Sequence, residues 1–108
     1  LRVLFDQGTP APLRNYISEH SVDTLAERGW SDKDNGELLE PAEREGYEVL
    51  VTTDQSLRYQ QNLDDRLFGI VVLLAANWHD VRRRTREIGQ AVATVRSGEV
   101  IEVSVTAE

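Results

Sequence analysis

Short apolar runs, each closed by a polar residue, alternate along this chain with stretches whose apolar positions recur at helical spacing. "LRVLFD" predicts a first strand over Arg2–Phe5, and "EVLVTT" a β-branched third strand over Glu48–Thr52. The unbroken run Leu67–Leu74 has the character of a central strand buried on both faces. Ser21–Leu25 is a weaker second strand, and Val100–Val105 alternates as an edge strand. Between them, Thr9 is placed to cap a helix with Pro10 and Pro12 in its first turn and Leu13, Tyr16 and Ile17 on its buried side. Asp34 and Glu37 have capping-box spacing ahead of Leu38, Leu39 and Ala42, with Gly46 as the stop. Pro41 predicts a kink in that helix, because it removes one hydrogen bond and crowds the carbonyl of Glu37. The segment "DQSLRYQQNLDD" reads as a short helix or turn. Asn77 then opens the longest helix, with Val81, Ile88, Val92 and Val95 at helical spacing and Gly98 as its end. Alternating strands and helices predict one α/β domain over residues 1–108: a three-layer sandwich on a mostly parallel sheet, in flavodoxin-like order 2-1-3-4-5.

Length and charge narrow the functional classes. A chain of 108 residues holds one core. Acids outnumber bases 19 to 12, for a net charge of −7, so any contact with a polyanion needs a local basic patch or a bound cation. The absence of cysteine excludes disulfide frameworks, cysteine zinc sites and thiol nucleophiles. No Gly-rich phosphate loop is present, and His20 and His79 stand isolated. The longest apolar run, Leu67–Ala76, is far short of the ~20 residues that cross a bilayer. No signal-peptide pattern opens the chain. The expectation is a soluble, cytoplasmic protein with no membrane contact.

The candidate chemistry lies in the acids. Asp6 and Asp54 each follow a strand, and neighbouring parallel strands would bring both to the sheet edge where open α/β folds bind ligands. Two carboxylates there suit a hard divalent cation acting on phosphates, since Mg²⁺ needs few protein ligands and keeps several waters. Each also has a structural alternative: an Asx turn for Asp6 and a helix N-cap for Asp54. Asn35 and Glu37, at the start of the middle helix, could complete the ring. Glu37 is better suited to close the capping box. Asp32, Asp34, Asp64 and Asp65 read as solvated loop charges. Arg82, Arg83, Arg84 and Arg86 form the one dense basic cluster, either a solvated helix face or a contact for a phosphate backbone or acidic partner.

"LRVLFDQGTPAPLRNYI" and "NGELLEPAEREGYEVLVTTDQSL" together resemble the small PIN-like proteins, a branch of the PIN nuclease superfamily. The second segment is the more specific, with Leu38, Leu39, Ala42, Gly46, the strand "VLVT", Thr52 and Asp54 filling the family pattern. The similarity covers residues 1 to about 75. It implies a metal-dependent single-strand ribonuclease using Mg²⁺ or Mn²⁺ held by clustered carboxylates, often the toxin of a bacterial toxin–antitoxin pair. Asp6 matches the family's first acid and Asp54 its last, while Asn35 stands where an acid is expected, leaving Glu37 or Asp34 as the available substitute. The resemblance also makes a homodimer an expected assembly.

Three functions follow. The first is RNA cleavage with Asp6, Asp54, Asn35 and Glu37 at the active site, Asp6 and Asp54 on the metal, and Arg82, Arg83 and Arg86 guiding the strand. The second is a catalytically weak or inactive PIN-like binding module partnering a small antitoxin. A phosphoacceptor receiver is the third, and it lacks the lysine that class needs after the fifth strand: the one lysine, Lys33, lies in another loop.

Overall fold

The computed structural model of the chain describes residues 1–60, 62–63, 65–75 and 77–104, so Asp64, the Ala76 end of the apolar run and Val105 lie outside the described residues. Five parallel strands form one sheet in the order β2-β1-β3-β4-β5: β1 Arg2–Phe5, β2 Ser21–Thr24, β3 Val49–Thr52, β4 Gly69–Leu73 and β5 Val100–Val103. This is the expected order. β3 and β4 are buried throughout, as strands covered on both faces must be. Alternation along the strands sends Val3, Phe5, Val49, Val51, Val71, Leu73 and Val103 to one face and Leu4, Leu50, Ile70 and Val72 to the other. On the second face pack α1 (Leu25–Arg28), α2 (Asn35–Arg44) and α3 (Leu57–Gln60). The first is covered by a 3-10 segment, Ala11–Tyr16, with α4 (Trp78–Val81) and α5 (Thr85–Thr94).

Local chemistry accounts for most boundaries. Asp34 caps α2, with the reciprocal Asp34–Glu37 box complete, and Gly46 takes φ 81° just beyond its end. α2 runs through Pro41 as one helical element. Three details depart from expectation. The segment after Pro10 winds as 3-10 rather than α, and Thr9 does not cap it, because its hydroxyl is engaged elsewhere. Leu25 belongs to a one-turn helix, not to β2, because a second capping box between Thr24 and Glu27 ends the strand there. The long helix is broken: Asn77 caps α4, Arg82–Arg84 form a 3-10 turn, and only then does α5 begin. Periodicity survives the break, since Val81, Ile88 and Val92 are all fully buried. Near the strands' opposite edge, Tyr47 donates its hydroxyl to Asp23 at 2.5 Å under the guanidinium of Arg2.

The connections do not all share one hand. β1 to β2 steps one way across the sheet over the face of the 3-10 segment, while β2–β3 and β3–β4 step the other way over the opposite face. These three have the same hand. The β4–β5 connection steps in the same direction as the two before it, yet Ile88, Ala91 and Val92 pack with Val3, Phe5, Val51 and Val71 on the 3-10 face. It therefore has the opposite hand. Right-handed crossovers make up about 98% of such units, which identifies this one as the exception. The packing reason is visible: without α4 and α5, the apolar face of Val71, Leu73 and Val103 would have only a six-residue segment to cover it.

Candidate functional site

In a parallel sheet all strands end at the same edge, and β1 and β3 are direct neighbours, paired Phe5 to Val51. The backbone N–H of Asp6 extends that ladder onto the Val51 carbonyl at 3.0 Å. Side-chain alternation then turns Asp6 and Thr52 toward the same face, that of α2. Thr52 Oγ1 donates to Asp6 Oδ2 at 2.5 Å and accepts the Asp54 N–H at 3.0 Å. One hydroxyl thus bridges the two segments that carry the acids. The other Asp6 oxygen, Oδ1, accepts from Thr9 Oγ1 at 2.6 Å.

Asp6, Thr9 and Thr52 are the buried polar side chains among the described residues, and all three belong to this one cluster. Asp6 is 4% exposed and, among the described residues, has no basic partner. A buried carboxylate usually has an ion partner or a metal as well as hydrogen bonds. Here two hydroxyl dipoles are supplied and the countercharge is not.

Asp54 lies at the mouth of the same edge. Its Oδ1 accepts from Ser56 through both the hydroxyl (2.7 Å) and the backbone N–H (3.0 Å), and its Oδ2 from Asn35 Nδ2 at 3.1 Å. The Ser56 hydroxyl foremost, then Asn35, holds Asp54 below the ordinary carboxylate range against the opposing effect of burial. Asn35 is delivered by the capping box that starts α2 one residue earlier. The structure therefore puts Asn35 on the Asp54 carboxylate and ties the Asp54 backbone to Asp6 through Thr52.

Glu37 keeps its structural role: it is exposed and accepts the Asp34 N–H at 2.9 Å, in return for the Asp34 carboxylate accepting its own N–H at 2.8 Å. The arginines Arg82, Arg83 and Arg86 lie exposed on the face of α4 and α5, the face opposite α2. Beside Asp6 a cleft of about 190 Å³ opens between Gln7, Thr9 and Ala11 and the start of α1 at Thr24–Ala26. The approach is tight on the β3 side, where a Cβ on Gly8 would fall 2.4 Å from Thr53 Oγ1.

Thr9, Thr52 and Ser56 as direct partners of the acids were not anticipated from the chain as residues of the site. Parity along β3 could have found Thr52, which must share the face of a residue one step beyond Phe5.

The donor set fits a small hard cation in a limited way: two carboxylates with oxygen lone pairs to spare, on segments that share the Thr52 hydroxyl, with the Asn35 amide on Asp54. Among the described residues no group of three or more His, Cys, Asp or Glu side chains gathers that could hold a metal ion. Comparison with protein-family models, with curated proteins and with solved structures finds no match.

Proposed function

We propose that this chain is a metal-dependent ribonuclease acting on single-stranded RNA, with Asp6 and Asp54 as the residues that would hold Mg²⁺ or Mn²⁺. One observation carries the reading. The buried polar side chains among the described residues gather around a carboxylate without countercharge, at the sheet edge where open α/β folds act. When bound, such a cation would lower the pKa of an attacking water and neutralise charge growing on the phosphate. The protein's own part is orientation. Thr9 and Thr52 fix both oxygens of Asp6, while Ser56 and Asn35 fix and keep ionised those of Asp54. Arg82, Arg83 and Arg86 would attract the strand in an otherwise acidic molecule. The resemblance to small PIN-like proteins adds the biological setting: a toxin with a small antitoxin partner, acting in the cytoplasm, with pairing into a homodimer.

Asp6→Asn and Asp54→Asn should each abolish Mn²⁺-dependent cleavage of a single-stranded RNA while leaving the circular-dichroism melt cooperative. Cleavage at wild-type rate by both variants removes the proposal.

A second reading has its own support. All four carboxylate oxygens of Asp6 and Asp54 already have protein donors or lie beside one, so the cluster can be read as a finished structural lock. The chain would then be a PIN-like binding module partnering an antitoxin. Millimolar Mg²⁺ or Mn²⁺ separates the two, because a cation that binds the folded state raises Tm. The binding module predicts no rise.

A further inference from the structure

Arg2, Arg14, Arg28, Arg44 and Arg66 each pair with a carboxylate, at Asp23, Glu27, Glu45, Glu40 and Glu43. Arg82, Arg83 and Arg86 are exposed and pair with none among the described residues, in a chain with seven more acids than bases. Three exposed cations within the five positions 82–86, none in an ion pair with a carboxylate among the described residues, form a local positive field in an acidic molecule.

Next to them is an aromatic pair the chemistry of the acids does not use. Tyr16 closes the 3-10 segment at 57% exposure, and its ring lies 5.5 Å from that of Trp78, tilted by 47°. Trp78 is partly buried and packs against the core of the first face. It is a fixed support, with Tyr16 as the open surface. Arg82 follows Trp78 by one helical turn, its backbone N–H on the Trp78 carbonyl, so both side chains rise from the same flank of α4. The same six-residue segment that ends in Tyr16 begins just after Thr9, so ring and acid cluster are joined by about 12 Å of 3-10 backbone.

We infer that Tyr16, backed by Trp78, is a base-stacking ledge for single-stranded nucleic acid, with Arg82 and Arg83 holding the adjoining phosphates. An unpaired base offers a free π-face and a duplex does not, so the ledge selects strands over helices. The inference rests on the ribonuclease reading for its choice of RNA, but not for its geometry.

The test is fluorescence-anisotropy binding of a labelled oligouridine in EDTA, where no cleavage can occur. Tyr16→Ala should weaken binding by roughly 5- to 150-fold, the range of one lost stacking contact, and Tyr16→Phe should restore it. Arg82→Gln with Arg83→Gln should lower the slope of log K against log salt by about 1.4, near 0.7 for each lost phosphate contact. The same strand annealed to oligoadenine should bind less well. Equal binding by wild type and Tyr16→Ala, or equal affinity for strand and duplex, overturns the ledge. So does displacement by polyglutamate with no dependence on Tyr16, which would make the arginines a site for an acidic protein. If oligouridine binds as described but Mn²⁺ elicits no cleavage, the ledge stands and the nuclease falls. Cleavage that needs Asp6 but ignores Tyr16 gives the reverse.

Discussion

Thr52→Val is the sharpest perturbation of the acid cluster. Valine keeps the shape of the fully buried side chain and removes only the hydroxyl. Two bonds go with it, the 2.5 Å donation to Asp6 and the 3.0 Å acceptance from the Asp54 N–H. Both partners stay behind unsatisfied, one of them a buried carboxylate. A hydrogen bond to a charged group contributes about 1.5–3 kcal/mol and a neutral one about 0.5–1.5, so the loss should be about 2–4 kcal/mol. In a domain of this size each kcal/mol moves Tm by about 4–8 °C, and a fall of at least about 8 °C is expected. Urea unfolding followed by circular dichroism measures it, with an unchanged m-value to show that the folded state is still compact. The double-mutant cycle with Asp6→Asn tests the cause: the two changes should couple by at least about 1 kcal/mol, because they share one contact. A Thr52→Val protein within about 2 °C of wild type, or additive losses in the cycle, would refute the bridge. The same variant should also weaken any stabilisation by Mn²⁺, since it frees the carboxylate to turn.

Other expectations concern the scaffold. Gly69→Ala should destabilise by about 1–3 kcal/mol, because its Cβ would lie 2.7 Å from Val95 Cγ2 and 2.8 Å from the Arg96 carbonyl oxygen. Gly89→Ala should do the opposite in the same melt, gaining about 0.5–1 kcal/mol: its Cβ meets Ile17 Cγ2 at an ordinary 3.6 Å inside a helix. Pro41→Ala restores an N–H to the Glu37 carbonyl, and its net gain should be about 1–2 kcal/mol after the greater freedom of the unfolded chain is counted. Burial, then the bond to Asp23, raises the Tyr47 pKa from 10.0 to about 12. Because the folded value is the higher one, this contribution is whole below pH about 10. It is lost as pH climbs through about 12, on the order of 2–3 kcal/mol in all. Tyr47→Phe should flatten that alkaline limb, and an unchanged limb would exclude Tyr47 as its source.

How far the chain itself disclosed these features depends on the range of the interaction involved. Parallel strands buried on both faces write themselves as unbroken apolar runs, so β3, β4 and the sheet order were legible. The Asp34–Glu37 box was equally legible, being a contact three residues long. Glu37 accepts the Asp34 N–H in that box, which starts α2 at Asn35, whose side chain reaches Asp54. Thr9 is misread because a hydroxyl followed by prolines fits an N-terminus, while its hydroxyl sits on Asp6, three residues back, and beside the Val51 carbonyl of β3. Asp6 and Asp54 could be nominated from their positions after strands. Their link through Thr52 required the Phe5–Val51 register, which no local pattern encodes. The break at Arg82–Arg84 was hidden because a 3-10 turn shifts the helical phase too little to disturb Val81, Ile88 and Val92.

The unusual routing of the last connection has a result for what the surface can hold. Had the chain taken the common turn out of β4, its final helices would have joined α2 on the far side. Tyr16 would then be a bare ring on a short segment, with neither an indole behind it nor arginines beside it. The rare crossover puts two pieces of chain some sixty residues apart shoulder to shoulder, one descending from the acids and one carrying the positive charge. A change of handedness, made to roof a patch of valines, thus also furnishes the protein with a grip.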